Sequence, residues 1–223
     1  MSETIFGRNS PVVTGQRPPL IGSRAPGFSA RTTMGERTLE NYRGRWLVFF
    51  SHPADFTPVC TSEFITFSKR FAEFQKLDCD LLALSVDSLS SHIAWVHSIK
   101  TQFGVVVPFP IVEDPSMEVA AAYGMIHADA GDAATVRATF VIDPASVIRA
   151  IVWYPMTVGR SVNEILRLVQ ALQTSDTEHA WTPEGWSPGG NLLEPAPLAF
   201  DATAEYATGA DDAPDWYYRL RKE

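Results

Sequence analysis

The sequence predicts an α/β fold: a central mixed sheet flanked by helices, followed by a C-terminal extension. Three observations carry this. Short continuous apolar runs, of which Trp46-Leu47-Val48-Phe49-Phe50 is the clearest, read as strands buried on both faces. Segments with helical periodicity lie between them. The chain has 223 residues, 45% of them hydrophobic, enough to bury such a core without covalent staples.

The elements follow in order. Residues 1–19 hold three prolines and little periodicity and are expected to be a loose arm. The body is expected over residues 20–173. Its first strand is the run 46–50. From Cys60, the residues Phe64, Phe67, Phe71 and Phe74 recur at spacings of 4, 3, 4 and 3, one face of an amphipathic helix. Leu81 to Val86 is a second strand. Leu89, Ile93 and Val96 mark a second helix, opened by Asp87 or Ser88. Asp114-Pro115 is expected to start a short third helix, with the aspartate as cap and the proline in the first turn. Phe140-Val141-Ile142 and Val147 to Trp153 flank Asp143-Pro144-Ala145-Ser146, a turn-rich tetrapeptide that predicts a hairpin. Ser161-Val162-Asn163-Glu164 has the pattern of a capping box, and Val162, Ile165, Val169 and Leu172 continue it as a helix. The hairpin falls where the parallel crossover pattern stops, so the sheet is mixed.

Residues 174–223 differ in character. They carry ten acids and three bases, most of the excess behind a formal net charge of −8. They hold five prolines but also Trp181, Trp186, Phe200, Tyr206, Trp216, Tyr217 and Tyr218. Disordered tails are poor in aromatics, so this extension is expected to pack on something, a partner subunit in particular.

Composition excludes several classes. The acidic balance argues against nucleic acid as a partner. No apolar run approaches the roughly 18 residues of a membrane-spanning helix. Residues 1–20 include Glu3, Arg8 and Arg17 and lack the apolar centre of a secretory signal. Two cysteines, Cys60 and Cys79, neither staple the fold nor match a zinc spacing, which points to a reducing, cytoplasmic compartment and to no metal.

The chemistry concentrates in Ser51-His52-Pro53-Ala54-Asp55-Phe56-Thr57-Pro58-Val59-Cys60-Thr61-Ser62-Glu63, between the first strand and the first helix. Ligands of open α/β sheets bind beyond the carboxyl ends of the strands. Cys60 also stands at a helix N-terminus, where unpaired N–H groups and the helix dipole stabilise an anion such as a thiolate. Taken alone, its phase with the phenylalanines suits a small core residue equally well. The helix start, Thr57 three residues earlier and the polar neighbours favour a nucleophile. Pro53 and Pro58 restrict the backbone around it.

The spacing Thr57-Pro58-Val59-Cys60 resembles a thioredoxin Cys-x-x-Cys with its first cysteine replaced. The whole stretch resembles the active-site signature of the peroxiredoxins, and His52-Pro53-Ala54-Asp55-Phe56-Thr57-Pro58-Val59-Cys60-Thr61 that of their one-cysteine, peroxiredoxin-6-type subgroup. Leu84 to Ser88, Ala94-Trp95, Pro108 to Ile111, Tyr154-Pro155, Gly159-Arg160 and Glu164 to Arg167 add to the resemblance, which covers about residues 18–195.

The resemblance implies a thioredoxin-like fold and a thiol-dependent peroxidase. Cys60 would be the peroxidatic nucleophile and pass through a sulfenic acid. Thr57 would hydrogen-bond the peroxide, and Arg137, just before a core strand, would hold thiolate and peroxide oxygen. Pro53, His52 and Arg160 would complete the substrate pocket, with His52 open between peroxide contact and loop structure. Glu63, one turn after Cys60, opposes a thiolate by its charge and is expected to bind an arginine or loop groups. The implied partners are a hydroperoxide, hydrogen peroxide or organic, an external thiol reductant of thioredoxin or glutathione type, and a second copy of the chain in a homodimer, some dimers building rings. No cofactor is implied.

Two alternatives stay open. Cys79, flanked by Asp78 and Asp80, reads as an inert thiol, but it could resolve Cys60 in a two-cysteine cycle. The chain could also be a redox sensor or holdase whose acidic, aromatic tail binds partners. Animal relatives credited with phospholipase activity carry a Gly-Asp-Ser-Trp-Gly segment. Here that stretch reads Arg43-Gly44-Arg45-Trp46-Leu47, without the serine, so the activity is not expected.

Overall fold

A computed structural model of the chain describes residues 18–126, 134–199 and 214–222. The expected arm falls outside these up to residue 17, as do Phe200 and Tyr206 of the extension. The described residues divide between two compact units, one within 1–71 and 79–160, the other within 72–78 and 161–223.

The first unit is built on seven strands: β1 (Ser29–Thr32), β2 (Gly35–Thr38), β3 (Trp46–Ser51), β4 (Cys79–Ser85), β5 (Ile111–Glu113), β6 (Arg137–Ile142) and β7 (Ile148–Tyr154). Their spatial order is β2-β1-β5-β4-β3-β6-β7. β3 pairs parallel with β4 on one side and antiparallel with β6 on the other, so the sheet is mixed, as the sequence predicts. All six residues of β3 are buried, which is why it reads as an unbroken apolar run.

Alternation along β3 feeds two layers. On one face Phe50 stacks on Phe67 of α1 (Pro58–Lys76), ring centroids 4.4 Å apart, with Phe64 and Phe109 edge-on to it. On the other, Leu47 and Phe49 join Leu82, Leu84, Phe140 and Tyr123 in one apolar cluster. Ala120 of the short helix α3 (Glu118–Ala122) belongs to the same cluster.

Three local details depart from expectation. The hairpin β1–β2 is unheralded, because its residues are short, polar and half-exposed and show no apolar alternation. The helix α2 (Leu89–Phe103), capped by Ser88, buries His92, Trp95 and Ile99 rather than the Leu89, Ile93, Val96 stripe; Ile93 is exposed. The large Trp95 ring and the internal bonds of His92 outweigh the smaller aliphatics. The third helix begins at Glu118, not at Asp114, whose buried carboxylate reaches across the intervening loop to accept from Ala120 N at 2.7 Å. The β6–β7 hairpin turns as expected, with Asp143 Oδ1 accepting from Ala145 N and Val147 N, both at 2.9 Å.

The second unit contains α4 (Val162–Glu178) and a small ribbon, β8 (Leu192–Leu193) paired antiparallel with β9 (Leu220–Arg221). Ser161 Oγ caps α4 by accepting from Glu164 N. The Glu164 carboxylate is bonded to Arg167. Ala171, Ala180, Trp186 and Leu192 form its own apolar cluster.

Candidate active site

The sheet register gathers the site. β3 runs toward Ser51 and leads through residues 52–57 into α1. Because β6 is antiparallel to β3, with Phe50 opposite Thr139, Arg137 at the start of β6 comes to the same edge. Arg137 lies opposite Tyr154 at the end of β7, so the segment after β7, with Met156 and Arg160, arrives there too.

Cys60 sits in the first turn of α1, wholly buried. Arg137 Nη1 donates to its Sγ at 3.2 Å and to Glu63 Oε2 at 3.0 Å. Nε and Nη2 of Arg137 donate to Met156 O at 3.0 and 2.8 Å, which fixes the plane of the guanidinium. Arg160 holds Glu63 from the other direction, with Nη2 2.7 Å from Oε2 and Nε 3.0 Å from Oε1, and its backbone N also donates to Oε1. Its Nη1 donates to Ala138 O, and the guanidinium lies 4.9 Å over the Phe50 ring.

Burial would push the Glu63 carboxyl up, but the bonds and charge of Arg160, and then the charge of Arg137, win and hold it below its ordinary value. Two guanidinium groups thus face one carboxylate in a buried site. The remaining positive charge stands against the sulfur of Cys60. Glu63, expected to bind an arginine, binds two.

Thr57 Oγ1 donates to Ala54 O at 2.8 Å, so the threonine's own proton is engaged and its lone pairs are left to accept. Phe56 takes a left-handed φ of 56° before it, a conformation that costs a non-glycine residue about 1–2 kcal/mol. Pro53 is buried in the same loop.

His52 faces a different set. Its Nε2 is 3.0 Å from Asp55 Oδ1, while Asp55 Oδ2 is 2.8 Å from His92 Nδ1. His92 Nε2 is 3.1 Å from Val112 O. All three side chains are buried, the His52 ring between Phe64 edge-on and Trp95 stacked. Burial pushes His52 below its ordinary value against the pull of Asp55. Burial would raise Asp55, but bonds from His52 and His92 outweigh it and leave the carboxyl far below the usual range. Among the described residues these three could be considered as metal ligands. Their contacts of 2.8–3.0 Å are hydrogen-bond lengths, however, shorter than the roughly 3.3 Å between two donors on one tetrahedral zinc. Sequence reasoning missed Asp55 and His92: the first lies inside the motif with no role assigned, and the second sits on a helix whose buried face the aliphatic spacing does not mark.

Cys79 stands apart. It opens β4 opposite Trp46, whereas Cys60 lies beyond Ser51 at the other end of the paired strand. Five residues of strand span about 16 Å, and a disulfide needs Cα atoms within about 7 Å. Cys79 cannot resolve Cys60 within one folded chain.

The chain matches the AhpC/TSA family over residues 21–151. It is 45% identical over 215 residues to a peroxiredoxin of Aquifex aeolicus (strain VF5), covering 92% of this chain and 97% of that one. Its structure is similar to that of a yeast mitochondrial 1-Cys peroxiredoxin described with glutathione/thioredoxin systems, at a TM-score of 0.81 and 40% identity, covering 92% of this chain and all of that one. It is also similar to peroxiredoxin 6 of Arenicola marina, solved as a cysteine-to-serine mutant, at a TM-score of 0.80 and 29% identity, over 92% of this chain and 99% of that one. No helix among the described residues is long and apolar enough to cross a membrane.

Proposed function

We infer what this protein does from the premise that the chain belongs to the AhpC/TSA family: it is a peroxiredoxin, a thiol-dependent peroxidase on a thioredoxin-like fold. The single observation that carries the assignment of its residues is the contact of 3.2 Å between Arg137 Nη1 and Cys60 Sγ. A nucleophilic thiolate needs a fixed positive partner, and this one cannot lose its charge.

In this reading the Cys60 thiolate attacks the hydroxyl-bearing oxygen of the peroxide. The S–O bond forms, the O–O bond breaks, and its electron pair leaves with the second oxygen, which takes a proton and departs as water or alcohol. Arg137 steadies the charge as it moves from sulfur to oxygen. Thr57 Oγ1 accepts the peroxide O–H. Pro53 and His52 line the pocket, and Arg160 acts at one remove by holding Glu63.

Cys60, now a sulfenic acid, is reduced by an external thiol. One thiol condenses with it to a mixed disulfide and water, and a second releases the thiolate. The reductant is taken to be of thioredoxin or glutathione type, and the working form a homodimer, with rings of dimers as the larger assembly, in a reducing, cytoplasmic setting. The test is peroxide consumption by the reduced protein and its Cys60→Ser variant. Stoichiometric, rapid consumption by the first and none by the second is expected. A variant as fast as the parent overturns the reading.

A further inference from the structure

The cluster of His52, Asp55 and His92 has no task in the reaction as derived so far, although all three side chains are buried. Counting its protons gives it one. Val112 O can only accept, so His92 Nε2 carries a hydrogen toward it. Asp55 Oδ2 and His92 Nδ1, 2.8 Å apart, then share a second. Asp55 Oδ1 receives a third from His52 Nε2. Three protons on two imidazoles and one carboxyl leave the cluster without net charge, which suits its burial. They also leave His52 Nδ1 bare. That atom is buried and has no partner, an arrangement that costs about 1–3 kcal/mol unless something fills it.

The second acceptor of the loop is Thr57 Oγ1, whose own proton goes to Ala54 O. Two acceptors therefore stand in the loop that leads to Cys60, at His52 and Thr57. Hydrogen peroxide offers two O–H donors. An alkyl hydroperoxide offers one, because carbon occupies its other oxygen. The ring of His52 also feels the charge of Arg160, which holds Glu63.

We propose that the His52–Asp55–His92 cluster is a specificity device that favours hydrogen peroxide over alkyl hydroperoxides. Asp55, fixed by His92, keeps the His52 proton on Nε2, so that Nδ1 accepts the hydroxyl of the leaving oxygen while Thr57 accepts that of the attacked one. Asp55 and His92 are positioning residues in this scheme and act through His52. The proposal rests on the reading of His52 as a pocket residue, and on Cys60 as the nucleophile.

The test measures the second-order rate of Cys60 oxidation by hydrogen peroxide and by tert-butyl hydroperoxide, and takes their ratio. Asp55→Asn and His52→Phe should each lower the ratio about tenfold, the worth of one hydrogen bond. The double variant should lower it no further, since one residue acts through the other. Nitrogen NMR of the wild-type rings should show His52 protonated at Nε2 and bare at Nδ1, a readout that stands even where Asp55→Asn fails to fold. A proton on Nδ1 overturns the proposal, as does an unchanged ratio in Asp55→Asn beside a lowered one in His52→Phe. If His52→Phe leaves both rates intact, the placement of His52 in the pocket falls first and takes the proposal with it. The peroxidase reading itself is decided separately, by Cys60→Ser.

Discussion

A guanidinium bonded to a sulfur, a carboxylate and a carbonyl at once does what an ammonium cannot. Arg137 reaches Cys60, Glu63 and Met156 O with one rigid plane. Arg137→Lys keeps the charge and loses the fork, so the rate of Cys60 oxidation by peroxide should fall about a hundredfold, in the range of a lost oxyanion donor. Stopped-flow fluorescence measures it, and a loss under about threefold, less than one hydrogen bond is worth, would mean charge alone suffices. Glu63→Gln takes from two buried guanidinium groups the carboxylate they share. It should destabilise the fold by about 3–5 kcal/mol in urea unfolding; a cost below about 1 kcal/mol would show that solvent or other groups take its place. Cys60 and Thr57 were marked in the sequence by the helix start and their spacing, and Arg137 by the resemblance to the peroxiredoxins alone. Asp55 and His92 were not. Their meaning depends on a contact across 37 positions of chain, and no local pattern carries that.

At the scale of elements, local patterns succeeded where one face is plainly apolar. The phenylalanine stripe of α1 and the unbroken run of β3 are of this kind. They failed where polar bonds decide orientation. α2 turns His92 inward and Ile93 outward, against hydrophobicity, because His92 is paired at both ring nitrogens. The β1–β2 hairpin at the sheet edge has too little buried surface to leave a pattern. Strand pairing also fixes what the two cysteines can do. With Cys79 at the Trp46 end of the β3–β4 pair, Cys79→Ala should leave peroxide turnover within about twofold, a tolerance below the tenfold worth of about 1.4 kcal/mol. Non-reducing mass spectrometry of peroxide-treated protein should find no intrachain Cys60–Cys79 linkage. Such a linkage in high yield contradicts the register described above.

For the molecule as a whole, the buried groups set the response to acid. His52 is held below its ordinary value, so below about pH 6.5 the unfolded chain takes up a proton that the folded one refuses, and stability falls. Asp55 and Glu63 are also held low, and their contribution, present above about pH 4, is lost as acid protonates them. Asp114, pushed up by burial, works in the opposite sense and offsets part of this. Melting temperature should therefore decline from about pH 8 to about pH 5 and more steeply toward about pH 4; a flat profile down to about pH 5 would contradict a buried neutral His52. The Cys60 sulfur has no exposed surface, and the turn above it is tied by Thr61 N and Oγ1 to Thr57 O at 2.9 and 2.8 Å. A peroxide is small enough to need little room, but a thiol bulky enough to carry a tripeptide or a protein needs that turn to open. At high reductant concentration the rate should level off at the opening rate of the turn. The lifetime of the oxidised sulfur then becomes a clock kept by one coil of helix, independent of how much reductant surrounds it.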